Sequence, residues 1–196
     1  MKNRLICQTT NYDCGPTSVT NAMRFLFERE EIPPVVLKHI WTMGIDTFSQ
    51  GGEPGKAGTS KASMRYMAAW FECYAEKCRF PVKSTFLDSD FAAVKPGSLI
   101  WRCLERGGCA VVRCWLEGGG HYVLLTQLLP GETVGLFDPY DEVPDRGTPG
   151  VRHCDDDPKR KNRAVHCDIL NRADESDYAM GASERREVLL FWRSDR

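Results

Sequence analysis

Between Gln8 and Ser18 the chain reads QTTNYDCGPTS, a glutamine six positions before a cysteine that heads a helical pattern. The positive end of a helix favours the thiolate over the thiol, and a thiolate is a nucleophile near neutral pH. Gly15 lets the backbone approach a substrate closely, and Pro16 suits the first helical turn. When a thiolate attacks a carbonyl, charge grows on the oxygen. Two N–H groups stand ready to receive it, the Cys14 backbone amide and the Gln8 side-chain amide, which together form a candidate oxyanion hole. Asp13 reads as structural, either capping the helix or bonding a nearby loop.

A nucleophile of this kind needs a base. Of the four histidines, His121 alone lies in an apolar, strand-like run, GGGHYVLL. The preceding Gly119 and Gly120 leave room for a substrate chain beside its ring. Asp138 closes the next run, TVGLFDP. A two-residue turn at Pro130-Gly131 would set His121 opposite Tyr140 and Asp138 opposite Val123. The two would then share a face as diagonal neighbours, their backbones roughly 7–8 Å apart. The carboxylate could accept a bond from the imidazole and fix its tautomer. A three-residue loop would put them on opposite faces. A lone cysteine, strand histidine or Asp-Pro turn is usually structural. Cys14, His121, Asp138 and Gln8 together fit one thiol-dependent mechanism. The other eight cysteines are structural by default.

The elements that must position these groups follow from periodicity. Val19, Ala22, Met23 and Leu26 recur at helical spacing after Cys14, which predicts a helix to about Arg29. Pro33-Pro34 opens a second helix through Met43. After the Gly-rich loop SQGGEPGKAGTS, Met64, Met67, Ala68 and Phe71 form the apolar face of a third, with Thr59 or Ser60 as N-cap. A shorter helix follows Pro96, capped by Ser98 and stopped by Gly107-Gly108. Beyond it CAVVRCW, HYVLLTQL and TVGLFDP read as consecutive antiparallel strands, and EVLLFW as a closing strand. Residues 139–164 are polar, and the basic patch Lys159, Arg160, Lys161 and Arg163 reads as a solvated loop. Helices first and strands later predict an α+β fold in a single domain, residues 1–196.

Composition narrows the function classes. At 196 residues with 42% hydrophobic content the chain can bury a full core, and its formal charge of −1 argues against a nucleic-acid or membrane-surface binder. No apolar run reaches bilayer length. The opening MKNRLICQTT has only a three-residue apolar stretch, so it does not read as a signal peptide, and removing a leader would remove the site. Nine cysteines without an export signal predict reduced thiols in a cytoplasmic protein. Cys73 with Cys78, and the pairs His153-Cys154 and His166-Cys167, lack the tight spacing of zinc sites. Neither a metal nor a cofactor is expected, and the expected partner is a peptide or protein substrate.

The same residues resemble a known group. Papain-like cysteine peptidases of the bacteriocin-processing, double-glycine leader peptidase branch show a glutamine six residues before a Cys-Gly. A histidine opening a strand and an Asp-Pro or Asn-Pro then follow. Here these are Gln8, Cys14-Gly15, His121-Tyr122-Val123 and Asp138-Pro139. The resemblance covers about a fifth of the chain. It implies a papain-like α+β fold, with the nucleophile at a helix start packed on an antiparallel sheet that carries the histidine and the acid. It also implies acyl-thioester chemistry on Cys14, with His121 as base and then acid. The leader-processing enzymes are usually fused to an exporter, which this sequence lacks, so cleavage after a double glycine is not inherited. The same thioester would serve an acyltransferase or transpeptidase, and a non-catalytic peptide-binding module is the third class.

Overall fold

The computed structural model describes residues 4–140 and 147–195. Three helices come first, α1 (Cys14–Leu26), α2 (Pro34–Met43) and α3 (Lys61–Cys78). They are followed by β1 (Val82–Asp88), α4 (Leu99–Glu105), β2 (Cys109–Leu116), β3 (Gly119–Leu129) and β4 (Thr133–Phe137). The chain continues through β5 (Val151–His153), β6 (Arg163–His166), the short α5 (Cys167–Leu170) and β7 (Glu187–Arg193). All seven strands join one antiparallel sheet in the order β1-β7-β2-β3-β4-β6-β5. The fold is α+β, with helices packed on the sheet.

Strand alternation divides the interior in two. Val111, Tyr122, Leu124, Leu189 and Phe191 enter a core with Met23 of α1, Ile40 of α2 and Met67 and Phe71 of α3. Their neighbours Val112, Val123, Leu125, Val188 and Leu190 enter a second core with Ile100 and Leu104 of α4 and Ile169 and Leu170 of α5. Both faces are therefore covered, which is why β2, β3 and β7 are almost continuously apolar rather than alternating with polar residues. The methionines of α3 are core, as their spacing predicts. Ser60 caps α3, its hydroxyl accepting the Ser63 amide at 3.1 Å, and Ser98 caps α4, accepting the Trp101 amide at 3.2 Å.

Several expectations need correction. The first helix stops at Leu26, not near Arg29, because Phe27 turns extended; Arg29–Glu31 form a separate helical turn behind a Glu28–Glu31 capping box. The mixed sequence VKSTFLD forms β1, an edge strand that pairs with β7. β7 also lies against β2, so the closing strand is inserted between β1 and the β2-β3-β4 meander. The segment 139–164, of which 141–146 lie outside the described residues, is not simply a solvated loop: it contributes β5 and the start of β6. Of its basic patch, Lys161 and Arg163 are buried, Lys161 paired with Asp156 at 2.7 Å.

Three polar tethers set α1 against the sheet. Ser18, one turn beyond Cys14, donates from its buried hydroxyl to the Tyr122 carbonyl at 2.9 Å. The buried Asn21 clamps the incoming chain by accepting from the Ile6 amide at 2.9 Å and donating to the Ile6 carbonyl at 2.8 Å. Farther along that chain, the Gln8 amide donates to the Pro139 carbonyl at 2.8 Å. The loop between α2 and α3 then closes over the helix start. The Thr59 side chain fills the place a side chain at residue 15 would take: an added Cβ would lie 2.7 Å from the Thr59 Cβ and overlap its hydroxyl. Gly15 is thus needed for the approach of Thr59, not of a substrate. We expect Gly15→Ala to lower stability by about 1–3 kcal/mol through overpacking, read as a fall in the urea midpoint at unchanged slope.

Candidate active site

Cys14 is the first residue of α1 and is 6% exposed. The helical ladder begins with the Thr17 amide donating to the Asp13 carbonyl at 3.0 Å, so the Cys14 amide precedes the first ladder bond and has no helical acceptor. Asp13 does not cap the helix with its side chain. It accepts instead from the Thr9 amide and hydroxyl at 3.2 and 2.9 Å and from the Thr10 amide at 3.0 Å, which holds the preceding loop.

The strands bring His121 to Asp138 by a route that spacing alone does not show. The β3–β4 connection is three residues long, with Leu129 opposite Thr133. By itself that would put His121 and Asp138 on opposite faces. A β-bulge at Thr126 inserts one unpaired residue and changes the register, so that Leu125 faces Leu136 and Leu124 faces Phe137. Continued to the site, this register sets Asp138 opposite Val123, the arrangement expected from a two-residue turn. Thr126 is buried, its hydroxyl facing the carbonyls of Gly135 and Arg160 at 3.2 and 2.8 Å.

The outcome is a buried hydrogen bond of 2.7 Å between His121 Nε2 and Asp138 Oδ1. Asp138 is fully buried. Its Oδ1 also accepts from the Tyr140 amide at 2.9 Å, and its Oδ2 from the Tyr178 hydroxyl at 2.8 Å. Asn162 holds the Asp138 backbone at both ends, accepting from its amide and donating to its carbonyl, each at 2.8 Å. Burial opposes the charge on Asp138, but the bonds from His121, Tyr140 and Tyr178 outweigh it and hold the carboxyl below its usual range. Burial likewise opposes a charged His121, and hydrogen bonds to Asp138 and to the Cys14 thiol outweigh it, so the imidazole is raised. With Nε2 committed to Asp138, Nδ1 is the ring atom left for the sulfur. Asp138 thus holds one side of the ring, and Cys14 is close enough to the other groups of the site to help raise the imidazole.

The remaining predicted residues are placed less simply. Gln8 reaches the same region through its backbone bond to Pro139, while its side-chain amide donates to the Thr10 carbonyl at 2.9 Å. Its Oε1 is buried and has no hydrogen-bond partner. A cleft of about 310 Å³ opens beside Cys14 between Tyr12, Gly58 and Thr59 on one side and Arg113, Gly120 and Tyr122 on the other. Gly120 lines it and Gly119 does not. Glu117 and Gly118, both at positive φ, form the two-residue turn between β2 and β3. Sequence reasoning missed Tyr178, Asn162 and Arg113. Nothing local marks the first two, which lie 40 and 24 residues beyond Asp138. Among the described residues no group of three or more His, Cys, Asp or Glu side chains is arranged to hold a metal.

The chain matches no protein-family model, and no curated protein matches its sequence.

The His121–Asp138 pair makes stability depend on pH. A raised histidine stabilises fully below its unfolded value of 6.5 and loses that contribution as pH climbs toward the folded value. A depressed carboxyl stabilises above its unfolded value of 3.8 and loses that contribution as pH falls toward the folded value. The stability gap between wild type and His121→Ala in urea titrations should be widest between about pH 4 and 6.5. It should narrow by more than about 1 kcal/mol by pH 9–10. A gap that stays constant would mean that the pair is not ionised in the folded protein.

Proposed function

We propose that this chain is a papain-like cysteine peptidase, a thiol-dependent hydrolase that cleaves a peptide or isopeptide-like amide through an acyl-thioester on Cys14. The observation that carries the reading is the buried His121–Asp138 hydrogen bond together with Cys14 at the head of a buried helix, where it lines an open cleft and helps raise the His121 imidazole. His121 takes the thiol proton at Nδ1, and Asp138 stabilises the imidazolium at Nε2. The thiolate attacks the amide carbonyl while the Cys14 amide and the second N–H of the Gln8 side chain hold the oxyanion. His121 then protonates the leaving amine, and water attacks the thioester, with His121 as base, to release the acid and restore the thiol. Tyr178 and Asn162 act through Asp138 as positioning residues. Nine free thiols fit a reducing, cytoplasmic setting, and no helix among the described residues is long and apolar enough to cross a membrane.

The test is digestion of a diverse peptide library, with new termini mapped by mass spectrometry for wild type and Cys14→Ala. We expect cleavage by the wild type to fall at least about a thousandfold in Cys14→Ala. A hydroxylamine-sensitive acyl adduct should map to Cys14 in the wild type. Gln8→Ala should lower kcat by about a hundredfold with a smaller change in KM. Cleavage that persists in Cys14→Ala would refute the mechanism.

A further inference from the structure

The Cys14 cleft holds a cation that the chemistry above does not use. Arg113 is on β2, opposite Tyr122, and its side chain is 23% exposed. Among the described residues lining the cleft it alone carries a permanent charge. Its guanidinium is held from behind. Trp115 lies beneath it, 5.1 Å from Cζ to the ring centre, and Nε stands 3.6 Å from Glu187 Oε1. That oxygen already accepts the Tyr122 hydroxyl at 2.8 Å, and Glu187 is buried. The guanidinium meets its counter-charge through Nε. Nη1 and Nη2 have no hydrogen-bond partner among the described residues. Nη2 lies against the exposed Gly120, where an added Cβ would overlap it and come within 2.9 Å of Cζ. The absence of a side chain at Gly120 is thus what lets the guanidinium lie along the cleft wall.

A planar guanidinium with a free two-nitrogen edge matches the two oxygens of a carboxylate and gives parallel, charge-assisted hydrogen bonds. We propose that Arg113 is a specificity-determining residue of this cleft and binds a carboxylate of the substrate near the bond under attack. The carboxylate comes from an Asp or Glu side chain or from a free chain terminus. The inference rests on the reading of Cys14 as the nucleophile and adds a substrate class to it: acidic next to the scissile amide, where shape alone would admit any small residue.

The experiment compares two thiol reagents of equal size, 3-maleimidopropionate and its neutral amide, with N-acetylcysteinamide as reference thiol. The rate ratio of acid to amide at Cys14, mapped by peptide mass, should exceed the reference ratio by about tenfold at low salt and fall as salt is added. Arg113→Gln should bring it to the reference value. Gly120→Ala, which keeps the charge but displaces the guanidinium from the cleft wall, should lower it as well. A ratio equal to the reference in wild type overturns the proposal. So does a raised ratio that neither variant changes, since that would assign the attraction to His121. If neither reagent modifies Cys14 while the exposed Cys73 is labelled, the thiol-site reading itself fails, a distinct result.

Protection of Cys14 from the amide reagent separates the two sources of carboxylate. The probes are blocked alanine pentapeptides with a central glutamate, with a free terminal carboxylate, or with neither. Protection by the first alone identifies an acidic side chain, and by the second alone a chain terminus. No advantage of either over the neutral peptide counts against carboxylate recognition.

Discussion

A carboxylate withdrawn from water must be surrounded by donors, and the organisation of this site follows from meeting that demand at Asp138. A buried, unpaired charge costs several kcal/mol, so the donors have to arrive together. They come from three separate parts of the chain, His121 at the start of β3, Tyr140 just past β4 and Tyr178 in the stretch between α5 and β7, while Asn162, just before β6, holds the Asp138 backbone. Tyr178 sits at a φ of 66°, in the left-handed region that a bulky residue seldom occupies, and its neighbouring backbone is pinned to both the amide and the carbonyl of Trp115 at 2.8 and 2.7 Å. The strain is local and the carboxylate it serves is central. Once Asp138 is fixed, it holds His121 with one ring nitrogen engaged and the other left for Cys14.

Cys14 is delivered independently. α1 is buried nearly all round, with twelve of its thirteen residues enclosed, so burial orients it only weakly about its own axis. Direction comes from polar tethers: the Ser18 hydroxyl on the Tyr122 carbonyl, Asn21 on both backbone groups of Ile6, and the Gln8 amide on the Pro139 carbonyl. The last links the segment before Cys14 directly to the residue after Asp138. Two of the three tethers therefore run to residues adjoining His121 or Asp138. The loop between α2 and α3 presses Thr59 onto Gly15 and the backbone of Gly44 onto Pro16, which sets one wall of the cleft.

Much of this was legible in the amino-acid pattern. The four early helices and the β2-β3-β4 meander follow from periodicity and from Ser60, Ser98 and the prolines as boundary residues. Cys14, His121 and Asp138 stand out because their residue types suit one reaction. What escaped reading depended on long-range pairing. VKSTFLD has neither strict alternation nor a continuous apolar run, and it becomes a strand because β7 offers an edge. Arg163 reads as solvated until Arg163 and Ala164 are paired to β4 and β5. The register at the site was anticipated from a two-residue turn but is made by a three-residue loop and the Thr126 bulge, two displacements of one residue that cancel. Sequence spacing cannot separate those cases. Gly15 was read as room for substrate, whereas its space is taken by Thr59.

The account stands on Cys14 being activated by His121, and one measurement bears on that directly. Limiting iodoacetamide is applied at about pH 5.5, where an ordinary thiol with a pKa of about 8.5 is almost wholly protonated and silent. The modified cysteines are then mapped in wild type and in His121→Ala. The account predicts that Cys14, although 6% exposed, is labelled ahead of the exposed Cys73 and Cys78, and that this lead disappears without His121. Labelling that follows exposure alone, or a Cys14 rate indifferent to His121, would contradict it.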